Sequence, residues 1–320
     1  MLNISNRLRR AASLVLLAVL ASTTPRAQAV PRDPEATVVD ELVVTARVGG
    51  PAWWRVSLGD GAVWILGVPP GLPKGFAWDT KGLDMRLAGA RGVITPAIGK
   101  ANLLDIPALL HLRAMMKSKT PLEDTLPTDL RERFLAGAHA LGRDPSRYDH
   151  WNAFYAAALM LDDFRKTSGL DIFAPMPAIT RAVRAHGLKP APAATYKALP
   201  VIRLGVAQLD REVEQSCLAE ALDEIAGGRE RQVRAAEGWN RGEIGLALTA
   251  AVGFDHCLNM LPEGAFLSRK SMADEASAIG TALAQRGAVV AVMPLRQLIA
   301  EDGVLEQLKA KGYSIRTPDR

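Results

Sequence analysis

The 320-residue sequence predicts a mixed α/β domain: a central mixed sheet, flanking helices and a large helical insertion. Three observations predict it. Two β-prone runs, Trp53-Trp54-Arg55-Val56-Ser57-Leu58 and Ala62-Val63-Trp64-Ile65-Leu66, flank the turn Gly59-Asp60-Gly61, which is hairpin chemistry. The C-terminal part alternates helix and strand around the apolar run Ala288-Val289-Val290-Ala291-Val292-Met293, and such a run between helices fits a strand covered on both faces. Between these ends, residues of about 101–260 carry mostly helical patterning. A hydrophobic content of 48% fits one large domain or a domain with an insertion.

In chain order, residues 1–29 come first. Arg7, Arg9 and Arg10 precede the apolar run from Ala11 to Leu20, and Ala27-Gln28-Ala29 has the small-x-small pattern of a signal peptidase site. A cleavable signal peptide ending after Ala29, and hence a periplasmic location, is the expectation. The apolar run is too short to span a bilayer, and no later stretch is long and apolar enough, so no integral membrane segment is expected. The whole chain carries 39 Lys and Arg against 34 Asp and Glu. Four of those cations (Arg7, Arg9, Arg10, Arg26) fall in the segment to be removed, which leaves 35 against 34. Nucleic-acid binding through a basic face loses its support, because counterion release needs clustered positive charge.

Residues 30–50 are polar and Pro-containing, and read as a flexible arm around one apolar, β-prone stretch from Val38 to Ala46. That stretch resembles the TonB box of TonB-dependent outer-membrane receptors, which pairs with TonB as an added strand and would make TonB a partner. The motif is short, and an edge strand or a disordered leader that happens to be rich in Val and Thr is the simpler reading of the same residues. The folded domain is expected over residues 51–320, beginning with the hairpin, where Trp54 and Trp64 are core-facing. Helical pattern over residues 80–90 and a short strand Gly92-Val93-Ile94-Thr95 follow. Amphipathic helices then run over residues 103–168, with breaks near Thr120-Pro121 and Asp144-Pro145. A helix over residues 179–186 leads into a Pro- and Ala-rich connection ending near Pro200, and helices resume over residues 206–261. The ending reads as a helix over 272–285, the apolar strand, a helix over 301–311 and a strand over 313–316.

The two cysteines, Cys217 and Cys257, are a candidate disulfide in an oxidising compartment. The alternative is a pair of buried thiols. Closing a loop of about 40 residues would add roughly 3 to 4 kcal/mol. The five histidines, His111, His139, His150, His186 and His256, lack the i, i+4 spacing of a helical metal site and read as solvated or core residues. His256 and Cys257 form a thiol pair on paper, but a disulfide would consume the nucleophile. No Gly-x-Ser-x-Gly elbow, Ser-x-x-Lys, phosphate-cradling Gly-rich loop or His-Glu-x-x-His is present.

Several segments, in order, carry a family resemblance over residues 53–316. They are Leu66-Gly67-Val68-Pro69-Pro70-Gly71-Leu72-Pro73-Lys74-Gly75, the mid-chain Gly169-Leu170-Asp171, the strand with Pro294-Leu295-Arg296-Gln297-Leu298-Ile299-Ala300-Glu301-Asp302-Gly303-Val304, and Leu308-Lys309-Ala310-Lys311-Gly312-Tyr313. The chain resembles the TraB/GumN family, with the Tiki-type proteases as distant relatives. The resemblance implies two histidines and an acidic residue around a divalent metal that activates water. Carried across, the early histidine falls on Pro70, the late one on Gln297, the first motif's Thr on Val68, and the glycine opening the late motif on Pro294. The Glu expected after the hairpin falls on Thr95 or Pro96, and a second near Ala194. Proline offers no donor, and one neutral Gln oxygen does not hold a transition metal. The resemblance therefore implies no metal and no cofactor here.

Arg269 survives from the family pattern, Arg296 stands beside the lost histidine, and Glu301 and Asp302 match the pattern while also suiting the start of the last helix. Two readings follow. In the first, the chain is a catalytically inactive scaffold or binding protein for a partner protein, a peptide or a small molecule, with its pocket closed by Pro70 and Leu295 or lined by neutral groups. In the second, it is a hydrolase or peptidase with a metal-independent or relocated site, in which Arg269 and Arg296 converge with Glu301, Asp302 or another carboxylate.

Overall fold

The computed structural model describes residues 32–46, 49–250 and 253–318. The expected signal segment, residues 1–29, lies outside them. The domain opens on a hairpin, β1 (Trp53–Leu58) and β2 (Gly61–Val68), followed by the short β3 (Leu72–Pro73), α1 (Lys81–Leu87), β4 (Ala90–Thr95) and β5 (Ile98–Lys100). A helical stretch of α2 (Ile106–Met115), α3 (Leu122–Thr125), α4 (Thr128–Ala140) and α5 (Ala153–Thr167) comes next. Then follow β6 (Leu170–Asp171), α6 (Met176–Ala185), β7 (Pro190–Pro192), β8 (Thr195–Lys197) and α7 (Ala198–Ala207). The long α8 (Arg211–Asn240), α9 (Ile244–Ala247), α10 (Gly253–Met260) and α11 (Pro262–Leu283) lead to β9 (Gly287–Pro294), α12 (Leu295–Ile299), α13 (Val304–Ala310) and β10 (Ser314–Arg316).

Six strands form the central sheet in the order β10-β1-β2-β9-β4-β7. β1 is antiparallel to both β2 and β10, whereas β2, β9, β4 and β7 run parallel, with Ile65 opposite Ala291 and Ile94 opposite the same residue. The apolar β9 is central and its residues Val289 to Met293 are buried, as a strand covered on both faces must be. β7 differs from the expectation of an unstructured connection. It carries Pro190 and Pro192, which remove ladder donors, and it stands at the sheet edge, the place where a strand tolerates them. The helical stretch expected over about 101–260 is thus interrupted by β6, β7 and β8.

Among the described residues two large apolar cores are joined by one helix, with a small third cluster of Met116, Phe154, Cys217 and Cys257 beside them. Around the sheet lie Trp54, Ile65, Leu66, Val290, Val292, Leu298 and Leu305. In the helical layer, Phe134, Tyr148, Met160, Leu161 and Leu218 pack together. α8 begins at Asp210, whose carboxylate accepts from the Val213 N–H at 2.9 Å, the usual N-cap arrangement. At Gly228 the helix is interrupted with φ +68°, a left-handed conformation that glycine adopts without a steric penalty. The bend lets Leu218 and Leu222 fill the helical core while Ala236 and Trp239 fill the sheet core. Cys217 and Cys257 form a disulfide between α8 and α10, with their Cα atoms 5.1 Å apart.

The N-terminal arm departs from the flexible segment expected. Val38 bridges Ala300 and Thr45 bridges Glu243. The Val39 N–H donates to the Ile299 carbonyl, the Glu301 N–H to Thr37, the Ile244 N–H to Val44 and the Ala46 N–H to Gly242. Leu42 and Val44 are buried. Apolar residues spaced two apart in an extended chain gain burial and ladder bonds when laid on the domain, and that outweighs the polar composition that suggested a loose leader. Within the stretch from Val38 to Ala46, residues Asp40–Leu42 form a 3-10 turn, so pairing with TonB as a strand would require this stretch to leave its seat. No helix among the described residues is long and apolar enough to cross a membrane.

Candidate functional site

β2, β9 and β4 end side by side, and the backbone that leaves their carboxyl ends carries Pro69-Pro70, Leu295-Arg296-Gln297 and Pro96-Ala97. The crevice beyond the carboxyl ends of parallel strands is where α/β sheets bind ligands. Here it opens into a cleft of about 810 Å³, whose other wall is the helical layer: Met116, Phe154, Ile202, Phe254 and Leu258. Pro70 and Gln297, the positions onto which the family pattern carries its histidines, both line it, as does Arg296.

The polar floor is organised by a residue that the sequence did not single out. Glu35, from the N-terminal arm, accepts at Oε1 from Ser268 Oγ (2.7 Å), Gln297 Nε2 (3.0 Å) and Asn259 Nδ2 (3.2 Å). Asn259 also donates to Asp33 Oδ1 at 3.0 Å, and Asp33 Oδ2 bonds His256 Nδ1. His256 Nε2 lies 3.5 Å from Glu220, whose carboxyl burial raises. Arg296 donates to the Leu248 carbonyl at 2.7 Å; burial lowers its pKa, against the opposing pull of Glu35 and Asp33. Asp255 faces the cleft, and enclosure by protein together with nearby Glu35 raises its carboxyl.

Behind the wall lies Glu275 on α11, fully buried. It accepts from the Ala97 N–H at 3.1 Å and from Ser271 Oγ at 3.4 Å, and both of these partners line the cleft. Burial raises its carboxyl to about 7, with Glu35 and Asp274 adding to the rise. Between the unfolded value of 4.5 and about 7, the folded protein holds a proton that the unfolded chain has released, so stability falls as pH rises through that window. Glu275→Gln removes this loss. The variant is expected to match the parent near pH 4 and to exceed it above pH 8 by about 3 kcal/mol, measured by urea unfolding. Equal pH dependence in the two proteins would refute the assignment.

The remaining sequence candidates scatter. Arg269 is exposed on α11 and does not line the cleft, so the expected convergence of Arg269 with Arg296 is absent. Glu301 and Asp302 are exposed; the backbone of the first holds Thr37, and the carbonyl of the second accepts from Gln307. Neither reaches Arg296. The pocket closed by Pro70 and Leu295 is also not found: both residues form one side of an open cleft whose floor carries carboxylates. Trp54 is buried, and Trp64 lies under the Arg86 guanidinium, 4.5 Å from its ring centre.

The donor set does not fit the metal that the resemblance implies. Pro70 has no donor atom. An ionised Glu35 can only accept, so the Gln297 amide must present nitrogen, not oxygen, to it. Among the described residues, no group of three His, Cys, Asp or Glu is placed to hold an ion.

Fold and site together define a mixed α/β domain with an open, largely apolar cleft at the carboxyl ends of its parallel strands. The TraB/PrgY/gumN family model matches residues 52–317, and the chain belongs to that family. No curated protein and no solved structure matches it.

Proposed function

We propose that this protein is an exported, periplasmic member of its family that binds a ligand in the cleft and has given up metal-dependent hydrolysis. One observation carries this reading. At the two positions where the family pattern has histidines, Pro70 offers nothing and Gln297 is committed to Glu35, within a bonded floor that also ties Asn259 and Ser268. A catalytic zinc site needs three protein ligands and an open position for water. The imidazole beside the floor, His256, is engaged by Asp33, and Glu35 already accepts three bonds at Oε1. The apolar walls and few polar groups are those of a binding site. Export rests on the Arg-led apolar segment and Ala27-Gln28-Ala29. The partner is a small molecule, a peptide or a protein segment that fills the cleft.

Calorimetry of the purified mature protein with zinc, manganese and cobalt, together with elemental analysis, tests the loss of the metal. No stoichiometric binding is expected. Tight one-to-one binding of any of the three ions would overturn the reading and call for peptidase assays.

A further inference from the structure

We propose that the face built by α2, α7 and the β5/β8 pair docks on an anionic phospholipid surface. This inference is independent of what the cleft binds. β5 and β8 run parallel, with Gly99 opposite Tyr196 and Lys100 opposite Lys197. α2, entered through a 3-10 turn at Leu103–Asp105, and α7 therefore leave the same end of one ribbon, and the two helices pack against each other.

Eight of the fourteen large apolar side chains exposed among the described residues lie in residues 98–115 and 202–204. Scattered singly, such side chains need no explanation; concentrated, they mark an interaction surface. Leu103 and Leu104, at 84% and 90%, are the most exposed of the set. On α2, Ile106, Leu110 and Arg113 follow at i, i+4 and i+7, which places them on one exposed stripe, while Leu112 and the C-cap residue Met116 turn inward and are buried. The helix is thus apolar on the side that the domain covers and on a side that it leaves open.

Charge on this face is one-sided. Residues 98–119 and 197–207 hold six cations, Lys100, Arg113, Lys117, Lys119, Lys197 and Arg203, all exposed, against one acid. That acid, Asp105, is spent on the turn, where it accepts from the Asn102 N–H at 2.7 Å. Among the described residues none of the six cations has a carboxylate partner. Lys100 and Lys197 stand directly opposite each other in the ribbon, a like-charge pairing that costs stability and that an anion over both would relieve. Apolar side chains rimmed by Lys and Arg are what an interfacial helix presents: the apolar groups enter the boundary between headgroups and acyl chains, and the cations meet the phosphates. A second copy of the chain fits less well, since it would bring six more cations to segments whose one acid is already engaged.

Cosedimentation of the mature chain with vesicles of phosphatidylglycerol or of phosphatidylcholine tests the proposal. Binding to phosphatidylglycerol is expected, at least roughly tenfold tighter than to phosphatidylcholine and weakening as salt is raised. The double variants Leu104→Asp/Leu110→Asp and Lys100→Glu/Lys197→Glu should each lower it roughly tenfold or more. Lys311→Glu, at an exposed cation just after α13, should bind as the parent does. All these positions are exposed, and circular dichroism confirms that the variants fold. Failure to bind phosphatidylglycerol, equal binding to the two lipids, binding that survives the leucine variant, or an equal loss in Lys311→Glu overturns the proposal. A dimer of the lipid-free chain that the leucine variant dissociates assigns the face to a second copy and overturns it as well.

Discussion

Trp239→Ala is expected to lower the unfolding free energy by about 3 to 5 kcal/mol, the range for deleting a fully buried tryptophan. Trp239 sits near the end of α8, with no exposed surface; its ring centre lies 5.2 Å from that of Trp78, and its indole N–H donates to the Gly67 carbonyl at 2.7 Å. That carbonyl belongs to β2 just before Val68-Pro69-Pro70, so one side chain fastens the bent half of α8 to the strand that leads into the cleft. Trp239→Phe separates the two contributions. It retains most of the ring packing, loses the hydrogen bond, and should cost about 1 to 3 kcal/mol. Chemical denaturation measures both. A loss under about 1 kcal/mol for the alanine variant would mean that the second half of α8 is not docked on the sheet.

Removing the Cys217–Cys257 bond should cost about 3 to 4 kcal/mol, from the unfolded-chain entropy of closing a loop of this length. The bonded pair packs with Met116 and Phe154, two residues of the cleft wall. The loss should therefore appear twice: as a lower denaturation midpoint under reductant and in the double variant Cys217→Ala/Cys257→Ala, and as weaker ligand binding under the same conditions. Identical midpoints with and without reductant would show that the bond does not form in solution.

The sheet was legible because its physics is local. The hairpin shows as two β-prone runs around Gly59-Asp60-Gly61, and β9 as a run of Val and Ala too apolar for any exposed place. β7 was not legible: Pro190 and Pro192 argue against a strand unless the sheet edge is known, and the edge is a tertiary fact. β3, β5, β6 and β8 are two or three residues long, below the length at which a period-2 pattern can be read.

For the site, the family pattern led to Pro70, Arg296 and Gln297, and all three line the cleft. It could not lead to Glu35. Its partners lie 224, 233 and 262 residues away in sequence, and a single acid in a polar segment gives no local sign of them. Glu275 is one helical acid between Asp274 and Ala276, and burial leaves no mark on residue identity when the neighbouring position is equally polar. Arg269 misled for the opposite reason. It matched a pattern, yet on α11 it points away from the face that Ser268 and Ser271 share.

The seating of the N-terminal arm bears on how the molecule comes into being. Thr37, Val39, Val44 and Ala46 leave the ribosome among the first residues of the domain, but the backbone groups they bond belong to residues 242–244 and 299–301. A nascent chain shorter than this has nowhere to dock Leu42, Val44 or Glu35, since domains fold as their parts become available during synthesis. The floor of the cleft is thus closed when Glu35 meets partners made 224 to 262 residues after it. A chain cut short before Gln297 can build much of the helical layer and carries Glu35, yet lacks part of the seat that holds it, so binding competence reports that synthesis has passed residues 297–301.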